Sequence, residues 1–130
     1  MKKIIKRILL LLICMLVSYY LACMVAVIPV IVYAHKIFTG EITTDQHDDV
    51  LFDYYHYEDE GEDPISVKCY IIPYFVLHDF KKGSIHVSYS VERYDGSNGD
   101  LLHGARHINS CWKIKKEDGI WKVTEVLEAP

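Results

Sequence analysis

The strongest constraint on this chain is an uncharged stretch of 27 residues, positions 8–34, close to its N-terminus. A helix over this stretch would be about 40 Å long, which exceeds the ~30 Å hydrocarbon core of a bilayer. Tilt, or a kink at Pro29, would absorb the excess length. We therefore predict a transmembrane anchor over residues 8–34.

Charges on either side of this stretch predict its orientation. Residues 1–7 hold four basic side chains, and the positive-inside bias places such a tail in the cytoplasm. The rest of the chain would then be an extracytoplasmic domain of a single-pass cell-membrane protein. The alternative is a signal peptide cleaved after Ala34, which would leave a secreted protein. Cleavable apolar regions are only about 7–15 residues long, which favours the anchor.

The net charge of the exposed part limits its partners. All 18 acidic residues follow position 36, against ten lysines and arginines, so this part carries a charge of about −8. Such a balance argues against a nucleic-acid partner and against an anionic-lipid surface. The acidic run at 41–63 lacks the spacing of a calcium loop, so we interpret it as a solvated surface.

Hydrophobic periodicity predicts one α+β domain over residues 43–130, joined to the anchor by a juxtamembrane linker at 35–42. A capping box at Thr43 and Gln46 indicates a helix from about residue 44 to residue 57. Val50, Phe52 and Tyr54 also alternate as they would in a strand, which is the alternative for this segment. After Pro64 the period changes to two, and Pro73 indicates an edge strand or a bulge. We expect one helix packed on a four-stranded antiparallel meander sheet whose other face is largely polar. Residues 41–130 should fold alone, as a monomer or weak dimer.

The last two strands form a hairpin around Asp118-Gly119, because a type I′ turn needs positive φ at both central positions. This turn places Ile114 opposite Val123 and Trp112 opposite Glu125. The predicted core face of the hairpin then consists of Trp112, Ile114, Trp121, Val123 and Leu127. Large aromatic side chains with aliphatic neighbours indicate a structural role.

A helix followed by long strands that end in Trp112, Asp118-Gly119 and Trp121 resembles the cystatin-like and nuclear-transport-factor-2-like superfamily. The resemblance covers roughly residues 43–127 and its motif is the aromatic hairpin. Members of the second group usually have two or three helices before the sheet, and this chain has room for about one, which favours the cystatin-like half. Enzymes of this superfamily use an interior acid–base residue, for which His78 is the candidate here. The matching positions are structural, so the resemblance assigns no functional residue.

Polar side chains of the open face are the candidate ligand- or partner-binding residues: His86, Ser88, Ser90 and His107. Strand alternation also puts His103, His107 and Cys111 on one face, near His86 of the preceding strand, which makes these four the candidate ligands of a zinc or copper site. The sequence lacks the spaced motifs typical of such sites, so we predict neither a metal nor another cofactor. Cys69 and Cys111 should lie on strands separated by a third, too far apart for a disulfide.

These observations predict a membrane-anchored extracytoplasmic binding module, with a protein or small molecule as partner at the outer membrane surface. An immunity-type role is one form of this function. Two alternatives are an enzyme of the resembled superfamily and a histidine-based metal-binding domain.

Overall fold

The computed structural model describes residues 1–42, 50–56 and 65–128, and confirms the predicted α+β arrangement. Within these ranges three helices precede four strands: α1 (Lys2–Ala26), α2 (Ile28–Thr39), α3 (Val50–Tyr55), β1 (Ile65–His78), β2 (Lys82–Asp95), β3 (Leu101–Glu117) and β4 (Ile120–Glu128). Helix α3 lies within the helix predicted at 44–57. The predicted capping box and most of the acidic run lie outside the described residues.

Helices α1 and α2 form one long apolar element with a break at Val27. The backbone of Val27 has φ −98° and ψ 0°, and Pro29, which cannot donate a hydrogen bond, follows in the first turn of α2. Together the two helices are long and apolar enough to cross a membrane. Their surroundings differ, because residues 2–22 are exposed throughout whereas one side of residues 23–38 is buried.

The second part of this element covers the sheet. Its buried side chains form one hydrophobic cluster with the buried side chains of α3 and of the inner face of the sheet. The members of this cluster that come from α1, α2 and the residue between them are Cys23, Val27, Val30, Ala34, Ile37 and Phe38. The structure therefore differs from the predicted boundary. Residues 35–39 are helical and buried on one side instead of forming a linker, and the helix on the sheet begins inside the predicted anchor. An apolar sequence suits lipid and a protein core equally, so composition could not locate this boundary.

The sheet is an antiparallel meander with strand order β1-β2-β3-β4. Both predictions from Pro73 are confirmed, because β1 is an edge strand and its register with β2 shifts between Pro73 and Phe75. Gly83 lies opposite His78, where a β-carbon would come within 2.1 Å of the Leu77 carbonyl oxygen. Only glycine fits this close approach at the β1–β2 turn.

The closing hairpin has the predicted turn, with φ of 53° at Asp118 and 79° at Gly119. Ile114 lies opposite Val123, as predicted. One register shift follows, so that Trp112 pairs with Val126 and not with Glu125. The prediction for Leu127 is therefore wrong: a bulge at Thr124 turns Val126 towards the core and leaves Leu127 44% exposed on the other face.

A buried polar network joins α3 to the sheet. The Trp112 indole N–H donates to the Tyr55 hydroxyl at 3.0 Å, and this hydroxyl donates to the Glu128 carboxylate at 2.8 Å. Ser110 lies 3.0 Å from the same hydroxyl, and Tyr89 donates to the other Glu128 oxygen at 2.7 Å. Burial raises the pKa of Tyr55 and of Tyr89, so both remain protonated donors.

Candidate functional site

The two faces of the sheet differ in what covers them. Helices α2 and α3 lie on the inner face, where Val76, Ile85, Val87, Trp112 and Ile114 are at most 2% exposed. No described residue packs over the outer face as these helices do over the inner one. The outer face is therefore the side of the sheet that the described residues leave open to solvent, and it has three regions.

The first region is an apolar stripe on the edge strand β1. Its five side chains are between 45% and 68% exposed: Tyr70, Ile72, Tyr74, Phe75 and Leu77. The sequence predicted a strand in contact with something on each side. Among the described residues only the inner side of β1 is covered, by α1 and α2. We call these five residues the β1 stripe.

The second region is polar and lies on β2, where His86, Ser88 and Ser90 alternate with the core residues of the same strand. These three predicted binding residues share the outer face. The fourth, His107, lies in a bulge of β3 with φ of 53°, and its backbone N–H donates to the Ser90 hydroxyl at 3.0 Å. The four residues thus form a polar row that follows β2 beside the β1 stripe and ends at His107 on β3.

The four predicted metal ligands do not come together as one set, since only two of them are neighbours. Cys111 and His86 are cross-strand partners whose Sγ and Nε2 atoms are 3.8 Å apart. The bulge at His107 changes the alternation of β3, so His103 lines a small cavity with Phe38 and Tyr55 on the inner face. The prediction that His103, His107 and Cys111 share one face is therefore wrong. The described residues contain no group of three histidine, cysteine or carboxylate side chains that could hold a metal.

His78, the candidate acid–base residue, has both ring nitrogens in use. Nδ1 accepts the backbone N–H of Phe80 at 3.0 Å, so Nε2 carries the proton and donates to the Cys23 carbonyl at 3.0 Å. That carbonyl lies at the break between α1 and α2, where the Val27 N–H donates to Met24 instead. With a side chain only 4% exposed, His78 fastens the end of β1 to the broken helix. This is a structural role.

The two outer cysteines lie on opposite faces of the sheet, with β2 between their strands, as predicted for β1 and β3. Cys69 packs against the core, and burial raises the pKa of its thiol to about 11. Cys111 lies beside His86 on the outer face. Both thiols are free, and a disulfide between them is excluded by the intervening strand.

The third region is the end of the sheet formed by the β1–β2 and β3–β4 turns, which lie side by side because the Lys116 N–H donates to the Lys81 carbonyl. Tyr19 of α1 lies at this end of the sheet. Its hydroxyl donates to the His78 carbonyl, and the centroids of its ring and the Phe80 ring are 5.9 Å apart. A groove of about 950 Å³ runs from Tyr19 to Leu127 and is lined by Lys82, Lys113 and Lys115 among others. We call this region the turn end.

Sequence reasoning did not identify the β1 stripe or the turn end as sites. Both have a signal in the sequence: the apolar residues of SVKCYIIPYFVLH occupy both strand parities, and lysines flank both turns. Neither signal is sufficient alone, because it takes the sheet to show which face is covered and which turns are neighbours.

Comparisons with protein-family models, with curated proteins and with solved structures find no match to this chain. The resemblance to the cystatin-like and nuclear-transport-factor-2-like superfamily therefore remains an expectation from the aromatic hairpin.

Proposed function

We propose that this protein is a single-pass membrane protein whose extracytoplasmic domain binds a protein partner through the open face of its sheet. The observation that carries this proposal is the β1 stripe. Contiguous exposed apolar side chains at one edge of a sheet are unfavourable in water and are typical of interaction sites. The adjacent row of His86, Ser88 and Ser90 supplies the polar groups that give such a surface specificity.

The position of the core supports an anchor that is not cleaved. Cleavage after Ala34, a residue with 0% exposure, would separate Cys23, Val27 and Val30 from the core that they help to form. Residues 8–22 are uncharged and exposed on all sides, as a helix surrounded by lipid requires. The basic residues at 2–7 support a cytoplasmic N-terminus.

A protein partner is favoured over enzymatic activity because His78 is fully engaged in structural hydrogen bonds. It is favoured over a metal because the described histidines and cysteines form at most a pair. Aromatic side chains such as Tyr70 and Tyr74 are also enriched where proteins meet one another.

Photo-crosslinking tests this function. A photoreactive phenylalanine analogue replaces Tyr70, 68% exposed on the β1 stripe, or Tyr54, 50% exposed on α3, in cells that naturally produce the chain. We expect a discrete crosslinked product from position 70 and none from position 54. Position 54 is the matched control, because it also carries an exposed tyrosine but lies outside the β1 stripe. A product of twice the chain's mass would identify a second copy as the partner. Equal crosslinking from both positions, or none from either, would contradict the proposal.

The orientation is tested separately. Protease added to intact cells should remove a tag at the C-terminus while a tag at the N-terminus survives. A protected C-terminal tag would reverse the proposed topology, and release of the whole domain into the medium would indicate cleavage.

A further inference from the structure

Lysines are concentrated at the turn end, although the exposed part of the chain is acidic as a whole. Of the eight lysines from residue 36 onward, six lie at this end: Lys81, Lys82, Lys113, Lys115, Lys116 and Lys122. Asp79, Glu117 and Asp118 share it, and Glu125 lies opposite Lys113. The local balance is therefore positive, the reverse of the average over residues 36–130.

Three of these lysines form a row across the sheet. Lys82 pairs with Lys115, and Lys115 pairs with Lys122, so the three side chains point to the outer face at one level of three adjacent strands. Like charges directly opposite one another destabilise a sheet. Glu117 lies 3.8 Å from the Lys122 ammonium, at the margin of the row. A row that opposes folding is expected where a function needs it.

The long helix brings this row to the membrane surface. Helix α2 runs along the sheet away from the turn end, since Pro29 and Val30 lie beside Trp121 whereas Phe38 lies beside Arg93. Helix α1 therefore leaves the sheet at the turn end, and Tyr19 is the point at which it does so. The uncharged part of α1 before Tyr19, residues 8–18, is only about 16 Å long, much shorter than the ~30 Å hydrocarbon core. An anchor this short holds the turn end against the bilayer surface.

Aromatic side chains at the same level agree with this depth. Tyr19, Tyr20 and Phe80 are 37–49% exposed at the turn end, and tyrosines concentrate where hydrocarbon meets headgroups. Lysines next to such a belt extend their ammonium groups into the headgroup layer. The short span and the aromatic side chains both support a lysine row at the surface of the bilayer.

We propose that the turn end is a binding surface for anionic lipid headgroups, with the row of Lys82, Lys115 and Lys122 as its centre. This inference rests on the proposed membrane anchor and adds a lipid class to it. A phosphate between facing lysines would neutralise the repulsion within the row. The groove from Tyr19 to Leu127 gives the headgroup room beside the lysines.

The test uses the full chain in bilayer discs that contain a trace of phospholipid with a nitroxide on its headgroup. The nitroxide quenches Trp121, which lies at the turn end, whereas the fully buried Trp112 supplies a constant background. We expect labelled phosphatidylglycerol to quench Trp121 more than labelled phosphatidylcholine does. The difference should shrink at high salt, because screening shortens the range of the lysine charges.

Lys115→Glu is the decisive variant and Lys68→Glu its control, since Lys68 is an exposed lysine of the same sheet far from the turn end. Lys115→Glu should lower quenching by phosphatidylglycerol at least about fivefold, because it removes one lysine beside an anionic surface and adds a carboxylate that repels the same lipid, and should leave quenching by phosphatidylcholine unchanged. Lys68→Glu should change neither. Equal quenching by the two lipids, or no response to Lys115→Glu, would overturn the inference while the anchor stands. A chain that does not remain in the discs would overturn the anchor and the inference together.

Discussion

Val76 and Leu77 are neighbours on β1, yet Val76 is 1% exposed and Leu77 is 60% exposed. The two side chains are equally apolar and differ only in the face of the sheet to which they point. The inner face is covered because α2, a segment distant in sequence, lies on it, and no described segment returns to cover the outer face. The apolar residues of a strand thus set how much of its surface could be buried. Which of its two faces is buried depends on where the other segments of the chain pack.

The largest effect is expected when α2, the helix that covers the inner face, is removed. Residues 41–130 lack α2, and the large side chains Val27, Val30, Ile37 and Phe38 together contribute at most about 6–12 kcal/mol by burial. This is comparable with the whole stability of a small domain, about 5–15 kcal/mol. We now expect residues 41–130 to remain unfolded, contrary to the expectation from sequence. Residues 23–130 should show the strand signal in circular dichroism, and folding of both fragments would contradict the role assigned to α2.

A smaller loss of stability is expected when a single side chain of the inner face is truncated. Trp112 is the example, because it is fully buried and its indole N–H donates to the Tyr55 hydroxyl. Trp112→Ala should lower the free energy of unfolding by about 3–5 kcal/mol. Trp121 is partly exposed, so Trp121→Ala should cost less, about 1–3 kcal/mol. Urea melts of the full chain in detergent, followed by near-ultraviolet circular dichroism, measure both. Equal losses would mean that Trp121 is as buried as Trp112.

The reactivity of Cys69 on the inner face can be compared with that of Cys111 on the outer face. The thiolate is the reactive form, and a pKa raised from 9.0 to about 11 leaves Cys69 with roughly a hundredfold less thiolate than an ordinary thiol at pH 8. Iodoacetamide should therefore modify Cys69 far more slowly than it modifies Cys111 on the outer face. Because the pKa is raised, the rate at Cys69 should keep rising up to about pH 11. Peptide mass spectrometry resolves the two sites, and equal rates at pH 8 would show that the inner face is open to solvent at Cys69.

The smallest effect is expected on the outer face. Tyr70→Thr keeps a residue that suits strands and removes an exposed ring, so the free energy of unfolding should change by less than about 0.5 kcal/mol. The same substitution should abolish crosslinking to a partner from a photoreactive group at Ile72. A loss of stability comparable with that of Trp112→Ala would show that the β1 stripe holds the fold together instead of binding a partner.

The sequence predicted the fold wherever local rules decide it. Asp118-Gly119 determined the turn, and Pro73 indicated an edge and a bulge. The errors begin where one extra residue enters a strand, because a bulge changes which face the side chains occupy on its two sides. The predicted faces of Leu127, after the bulge at Thr124, and of His103, before the bulge at His107, are wrong for this reason. The turn end could not be predicted, since its lysines come from separate hairpins and the average charge of the region has the opposite sign.

The chain passes from α1 to α2 through Val27 alone, and His78 holds this junction to the sheet. A binding domain on a flexible linker searches a volume whose radius grows with the square root of the linker length. The junction leaves this domain no such slack, so with the proposed anchor its open face would stay at a fixed height above the bilayer. The proposed partner, if anchored in the same membrane, would meet it at that height by lateral diffusion alone, whereas a partner whose matching surface stands much higher could not reach it.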